Sequence, residues 1–326
     1  MLDILEEIEK TGNSVNMPHE KADLVFNFNA SEQNKVSQKN LSKFSIEEIE
    51  KQVGVVIINV TYDSLKVQEK AYNLKICGKK MTDWVKNATE PFEKIELEMD
   101  STADFLPLIK SHIMDKKYTL VLFSDAPLIQ YKTIQEILEY FVMKSLSVLK
   151  FSRGYMFETD YLKRIDKLLS PQMQYFNEED FITCYSLKQL AIISDIMRNR
   201  ILSFHQKNGV IIVDGASTFI DADVSIEENV TIYPNNKILG NSIIQKGCFI
   251  SANNLIENSV IMENCKLENS VISQSVISKN CVVINNSVVE NKSFLGENCF
   301  LKGFNYVAGQ VLDDNEIFDC YEKRSK

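Results

Sequence analysis

From residue 220 the chain returns an aliphatic residue every six positions: Ile220, Ile226, Ile232, Ile238, Ile244, Ile250 and Ile256. The series continues through Ile261, Leu267, Ile272 and Ile277 with three five-residue steps, then through Val283, Val289, Leu295 and Leu301 at six again. Four residues after most of these stands a small or branched residue, among them Val224, Val230, Ser242, Cys248, Cys265, Cys281, Ser293 and Cys299. Asn, Asp, Glu, Lys and Ser, mostly turn formers, fill the gaps. A period of 3.6 cannot produce this pattern, and a plain alternating strand holds no six-residue phase. The pattern predicts short strands joined by turns and wound into a coil, each coil stacked on the last at about 4.8 Å. The aliphatic residue points inward and the small one sits near the corner. Four of the seven cysteines take that small position, which reads as packing rather than redox chemistry.

Upstream the period changes. Leu187, Leu190, Ile193, Met197, Ile201 and Phe204 form one apolar helical stripe over residues 186–208, closed by Gly209. His205 falls in the last turn, where an imidazolium would favour the helix dipole. Residues 55–60 and 118–123 read as short buried strands, and 81–87, 103–114 and 133–143 as helices. Such alternation predicts a mostly parallel sheet with helices on both faces, its ligands bound beyond the carboxyl ends of the strands. Residues 4–9 and 45–52 read as helical, 22–28 as a strand, and 29–43 as a polar loop.

Composition narrows the function classes. The 326 residues are 44% hydrophobic and 25% charged, enough for two domains with full cores. A net charge of −9 makes nucleic acid and anionic membranes poor partners. Apolar runs such as 120–123 are too short to span a bilayer, and the acidic opening is no signal peptide. Seven cysteines without a CxxC pair argue against a disulfide framework and a zinc site, so a cytoplasmic location is expected. With only 11 glycines, both G-x-G-x-x-G and the Walker-type loop are absent. The three histidines stand at 19, 112 and 205, so no imidazole serves the repeat.

The hexad series resembles the hexapeptide repeat of left-handed parallel β-helix proteins. That resemblance implies the handedness, three hexads per coil, about five coils, and a homotrimer. Many such proteins are acyltransferases with a histidine base on the β-helix, a reading that the missing histidine weighs against. The run MRNRILSFHQKNGVIIVDGASTFIDADVSIEENVTIYP (residues 197–234) is similar to the inter-domain helix and first coils of one family. This is the bifunctional N-acetylglucosamine-1-phosphate uridyltransferase/glucosamine-1-phosphate acetyltransferase family, whose D-P-A-S-T-x-I-D motif is matched from Asp214, with Gly215 for proline.

The front part resembles that family's nucleotidyltransferase domain in a shortened, degenerate form. YTLVLFSDAPLI (118–129) is similar to its strand followed by G-D-x-P-L, which implies that Asp125 binds Mg²⁺; the plainer alternative is that Asp125 caps the following turn. LKICGKKMTDWV (74–85) resembles L-x-x-I-x-G-K-P-M, and RGYMFETDYL (153–162) is reminiscent of a segment opening N-T-G. The phosphate-cradling L-A-A-G-x-G-T-R-M has no equivalent, because Val55 to Ile58 run into Asn59-Val-Thr-Tyr-Asp-Ser-Leu-Lys-Val without glycine or arginine. Asp63 would face the phosphates with the wrong charge. Lys70 stands where the family's next lysine would be, Thr102 lies in the stretch matched to its uracil-contacting motif, and Tyr185 takes the place of its second magnesium ligand.

The resulting expectation is an α/β Rossmann-like nucleotidyltransferase domain followed by a left-handed parallel β-helix. Residues 1–50 form an N-terminal extension, 51–185 the degenerate domain, 186–209 a connecting helix, 210–312 the β-helix and 313–326 a tail. The expected function is a non-catalytic or weakly active sugar-nucleotidyltransferase relative. It would be a homotrimeric scaffold or regulator in UDP-N-acetylglucosamine-type metabolism, taking a nucleotide sugar or sugar phosphate. The alternative is an active sugar-1-phosphate uridylyltransferase using Asp125 and Mg²⁺; acyl transfer ranks third. Candidate residues are Lys70 and Lys79 for catalysis, Asn59, Thr102 and Asp125 for ligand, and Asp125 for metal.

Overall fold

The computed structural model describes residues 46–62 and 69–325. The expected elements at 4–9, 22–28 and 29–43, and Asp63, lie outside the described residues. Two units part between Asp195 and Ile196.

In the first unit, strand β1 (Val53–Thr61) is apolar on both faces, as a strand covered on both sides must be. A separate two-stranded hairpin, β2 (Lys75–Ile76) and β3 (Lys79–Lys80), follows it in the chain. Strand β1 pairs in parallel with β4 (Glu93–Asp100) on one side and β5 (Tyr118–Phe123) on the other. Beyond β5 come β7 (Gly154–Glu158), β6 (Val148–Phe151) and β8 (Gln172–Met173), giving the order β4-β1-β5-β7-β6-β8. The β5–β7 and β6–β7 pairs are antiparallel, so the sheet is mixed. Val55, Ile57, Leu120 and Leu122 pack on one face with Ile134, Leu138 and Phe141. Val56, Ile58, Val121 and Phe123 pack on the other with Leu106, Ile109 and Leu162.

Helices Met81–Ala88 and Tyr131–Met143 lie where the periodicity places them. The helix expected over 103–114 is one short piece, Phe105–Lys110, begun by the Asp104 carboxylate accepting from Leu106 N at 3.0 Å. Strand β4 was not expected, although Ile95, Leu97 and Met99 alternate with charged residues as an edge strand's should. Between β6 and β7 only Ser152 and Arg153 form the loop, because Phe151 pairs directly with Gly154. A Cβ on Gly154 would stand 2.2 Å from the Phe151 ring and 2.7 Å from the Val121 carbonyl oxygen. The hairpin therefore requires glycine there.

The second unit is a parallel β-solenoid built from strands β9 (Ile211–Ile212) to β28 (Lys323–Ser325). Its three sheets hold seven, six and seven strands, more than six coils rather than five. All fifteen aliphatic residues of the hexad series are buried inward. In-register pairs such as Ile238–Ile256 and Ile256–Ile272 stack like on like from coil to coil. Each buried aliphatic side chain contributes about 1.5–3 kcal/mol.

Three corner columns hold the coils together. In one, Cys248, Cys265 and Cys281 donate Sγ–H to carbonyls of the next coil, at 2.9, 2.9 and 3.0 Å. In the second, Ser259, Ser275 and Ser293 each donate a backbone N–H to the serine hydroxyl one coil earlier. In the third, Asn254 N and Ser270 N bond the Asn236 and Asn254 side chains at 2.9 and 3.0 Å. The turns need left-handed backbone, and Asn supplies it at Asn229, Asn253, Asn264, Asn280, Asn298 and Asn315. Asparagine tolerates this region better than other non-glycine residues, which explains how so glycine-poor a chain makes so many corners.

The winding continues past 312 through β27 (Ile317–Phe318) and β28, where a tail was expected. Arg324 pairs with Val307 in the inward register, lies 4.4 Å from the Phe318 ring centre, and bonds Glu316 at 2.8 Å. The Arg324 side chain is exposed, and its charge is met by Glu316. Among the described residues no helix is long and apolar enough to cross a membrane.

Helix Leu187–Lys207 carries His205, which is buried instead of standing as a cation at the helix end. Burial lowers its pKa from 6.5 to about 4. The unfolded chain therefore binds a proton that the folded chain refuses between those values, and stability falls as pH falls through that window. The full loss is about 3 kcal/mol at 1.4 per unit. Denaturant midpoints at neutral and mildly acid pH should show this loss in the wild type and a flatter response in His205→Gln.

Candidate functional site

Strand β5 ends at Phe123, and the next two residues are buried at the carboxyl edge of the sheet. Ser124 N donates to Ile58 O at 2.9 Å, which aligns the end of β5 with β1. The Ser124 hydroxyl is buried and makes no hydrogen bond among the described residues. Asp125 follows, 1% exposed, with its carbonyl accepting from Cys184 N at 2.7 Å.

The Asp125 carboxylate is held by the chain itself. Arg153, at the tip of the β6–β7 hairpin, donates from Nε to Oδ1 at 3.0 Å and from Nη2 to Oδ2 at 2.6 Å. The pair is thus bidentate, the geometry a guanidinium favours with a carboxylate. Tyr62, just beyond β1, donates its hydroxyl to Oδ2 and accepts from Arg153 Nη2 at 3.1 Å. The Phe123 ring lies beneath the guanidinium at 4.2 Å. Burial would lower the Arg153 pKa, but Asp125 more than offsets it and leaves it raised. Burial first, and then the Asp125 charge, push the Tyr62 phenol above its usual range and the Cys184 thiol up to about 11.

These residues do not fit the magnesium that the resemblance implied. Both Asp125 oxygens already accept charge-assisted or phenolic hydrogen bonds, whereas a metal ligand needs a free lone pair facing the ion. Tyr185, at the place of the second ligand, is an exposed phenol. Among the described residues no group of three or more His, Cys, Asp or Glu side chains could hold a metal ion.

The other candidates belong to separate polar groups. Asn59 is buried near the end of β1, accepting from Thr82 Oγ1 at 2.9 Å and donating to Glu96 Oε2 at 3.3 Å. Glu96 also pairs with Lys86 at 2.8 Å. Burial pushes the Glu96 carboxyl up, but Lys86 and Asn59 outweigh it and leave it below the usual carboxylate range. Lys70 pairs with Glu98 at 2.5 Å, and Tyr72 donates to the same carboxylate at 2.9 Å. Lys79 lies 5.7 Å from the Trp84 ring centre. Thr102 closes a turn on Asp100, with its N–H at 2.9 Å and its hydroxyl at 2.6 Å from Oδ1.

Arg153 and Tyr62 complete the site and were not among the expected residues. One signal was available for the first: only five of the 36 basic residues are arginine, and Arg153 precedes a glycine at a strand start. Tyr62 gave none.

Comparison with known proteins places the chain beside two kinds of relative. Residues 220–323 match a family model, the GMPPB C-terminal domain. The bifunctional protein GlmU of Clostridium kluyveri is 34% identical over 137 residues, which are 42% of this chain and 30% of that protein. GlmU of Clostridium novyi is 37% identical over 93 residues, 28% of this chain and 20% of that protein. The chain thus spans less than a third of the length of these curated relatives. Among solved structures, molybdopterin-guanine dinucleotide biosynthesis protein A from Archaeoglobus fulgidus matches at TM-score 0.35 and 15% identity, over 45% of this chain and 99% of that chain. The likeness to GlmU read from residues 197–234 is met by these relatives.

Removing the Asp125 carboxylate leaves a largely buried guanidinium and a phenol without their acceptor. Asp125→Ala is expected to cost about 2–4 kcal/mol of unfolding free energy, and Tyr62→Phe about 1 kcal/mol. Urea denaturation followed by the fluorescence of the single tryptophan, Trp84 in the same unit, measures both.

Proposed function

We propose that this protein is a non-catalytic relative of the sugar nucleotidyltransferases, a homotrimeric scaffold or regulator in UDP-N-acetylglucosamine-type metabolism. Its ligand is a nucleotide sugar or sugar phosphate, bound at the carboxyl edge of the sheet without turnover. The observation that carries this reading is the Asp125–Arg153 ion pair. Nucleotidyl transfer requires positioned cations to offset charge developing on phosphate. Here the carboxylate suited to hold such a cation is taken by the protein, and Tyr62 approaches it from the end of β1, where a glycine loop would have to pass. Lys70 and Lys86 are themselves paired with Glu98 and Glu96.

The solenoid supports the scaffold part of the reading. Its outer surface carries exposed Ile211, Val213, Phe249, Val311 and Ile317, side chains that association between copies would cover. Seven free thiols, five of them buried, suit a reducing cytoplasm.

Pyrophosphate release from UTP, Mg²⁺ and a panel of sugar 1-phosphates is the test of the catalytic part. No turnover is expected for the wild type; turnover that disappears in Asp125→Asn would establish a working uridylyltransferase instead. Sedimentation velocity at micromolar concentration tests assembly independently. A trimer is the expected species, and a stable monomer would remove the trimeric scaffold.

A further inference from the structure

We propose that Arg153 is a resident cation that replaces a divalent metal at Asp125, leaving behind a latent metal site that the guanidinium keeps closed. The inference deepens the non-catalytic reading of this edge and rests on it, but it concerns occupancy of the site rather than turnover.

Four observations converge on it. The guanidinium saturates both carboxylate oxygens in a fork, so it neutralises the whole acceptor face rather than one lone pair. Its position is imposed by the fold: the β6–β7 loop has only two residues, and Gly154 lets the hairpin lie against Val121 and Phe151 with no space for a side chain. The Phe123 ring beneath the guanidinium and the Tyr62 hydroxyl beside it fix the cation further. Finally, the residue before Asp125 keeps an oxygen that the ion pair does not use. The Ser124 hydroxyl is fully buried without a hydrogen-bond partner among the described residues.

A buried carboxylate needs a counter-charge, and the chain supplies one permanently. Take the guanidinium away and Asp125 Oδ1 is freed, while Oδ2 keeps only the Tyr62 hydroxyl; carboxylate oxygens of this kind are the donors that hard divalent cations take with water completing the shell. Arg153 uses Nε and Nη2 for Asp125 and Tyr62, so its replacement by a small side chain empties the cation position while leaving the carboxylate in place.

The experiment is Mn²⁺ binding, read by loss of the free-ion electron paramagnetic resonance signal and by thermal midpoint with and without millimolar Mn²⁺ or Mg²⁺. Wild type is expected to bind no Mn²⁺ and to show no metal-dependent shift. Arg153→Ser should have a lowered midpoint in chelator that rises by several degrees with Mn²⁺, and Asp125→Asn/Arg153→Ser should lose that response. Saturable Mn²⁺ binding by the wild type that Asp125→Asn abolishes would overturn the proposal, since the guanidinium would then be displaced by metal. A folded Arg153→Ser that ignores Mn²⁺ would also overturn it. If Arg153→Ser is insoluble, its recovery when produced with Mn²⁺ supports the proposal. Failure in both conditions while the double variant is soluble overturns it. None of these readouts depends on pyrophosphate release, so a failed turnover reading and a failed occupancy reading stay distinct.

Discussion

A carboxylate buried at a strand end must find positive charge or hydrogen-bond donors, and in this protein two segments provide them for Asp125 while two further contacts hold the group in place. The end of β1 brings Tyr62, the β6–β7 hairpin brings Arg153, the end of β5 brings the Phe123 ring, and Cys184 ties down the Asp125 carbonyl. Desolvating a charge costs several kcal/mol unless partners are well placed, so the edge is organised around satisfying this one group. The same organisation decides its chemistry. A divalent ion would bring two positive charges and coordination positions open to substrate oxygens; a guanidinium brings one charge and donors already spent on the protein.

The solenoid obeys a different constraint, that each coil must repeat the one beneath it. Parallel in-register pairing forces the inward position of every coil to coincide, so aliphatic residues stack on aliphatic and corner residues on corner residues. Polar corner side chains such as Asn236 and Ser259 then take hydrogen bonds from the next coil's backbone, whose groups would otherwise be orphaned inside the turn. Stability in such a stack is close to a sum of neighbour terms. The solenoid's stability therefore rests on its own coils.

That difference also explains what the amino-acid sequence reveals. Stacking writes itself into the chain as a period, so the coils from Ile220 to Leu301 were legible residue by residue. The period continues inwardly through Val307, Leu312 and Phe318 to Arg324, but a charged residue at the last inward slot made 313–326 read as a tail. Strands β1 and β5 were legible from burial on both faces. β4 was overlooked because an edge strand keeps charge on one side, and the alternation of Ile95, Leu97 and Met99 is easily taken for a loop. Asp125 stood out at the end of a buried strand. Its partners did not, since Arg153 is 28 residues away and Tyr62 is 63. A bond across that separation leaves no periodic trace. The glycine-poor corners were legible as turns, though their reliance on left-handed asparagine became plain only from the backbone.

Electrostatics around the sheet edge carry the argument one step further. Strand β4 lines β1 with Glu96, Glu98 and Asp100. Lys86 and Lys70 compensate the two glutamates, and the Thr102 turn occupies Asp100. With Arg153 committed to Asp125, these three cations each already face a carboxylate of the protein. Phosphoryl-transfer sites work in the opposite way, holding cations in excess until the substrate's own charge completes them. Cations already committed to the protein's own carboxylates hold this edge in shape, because each ties a separate segment to a fixed acidic group.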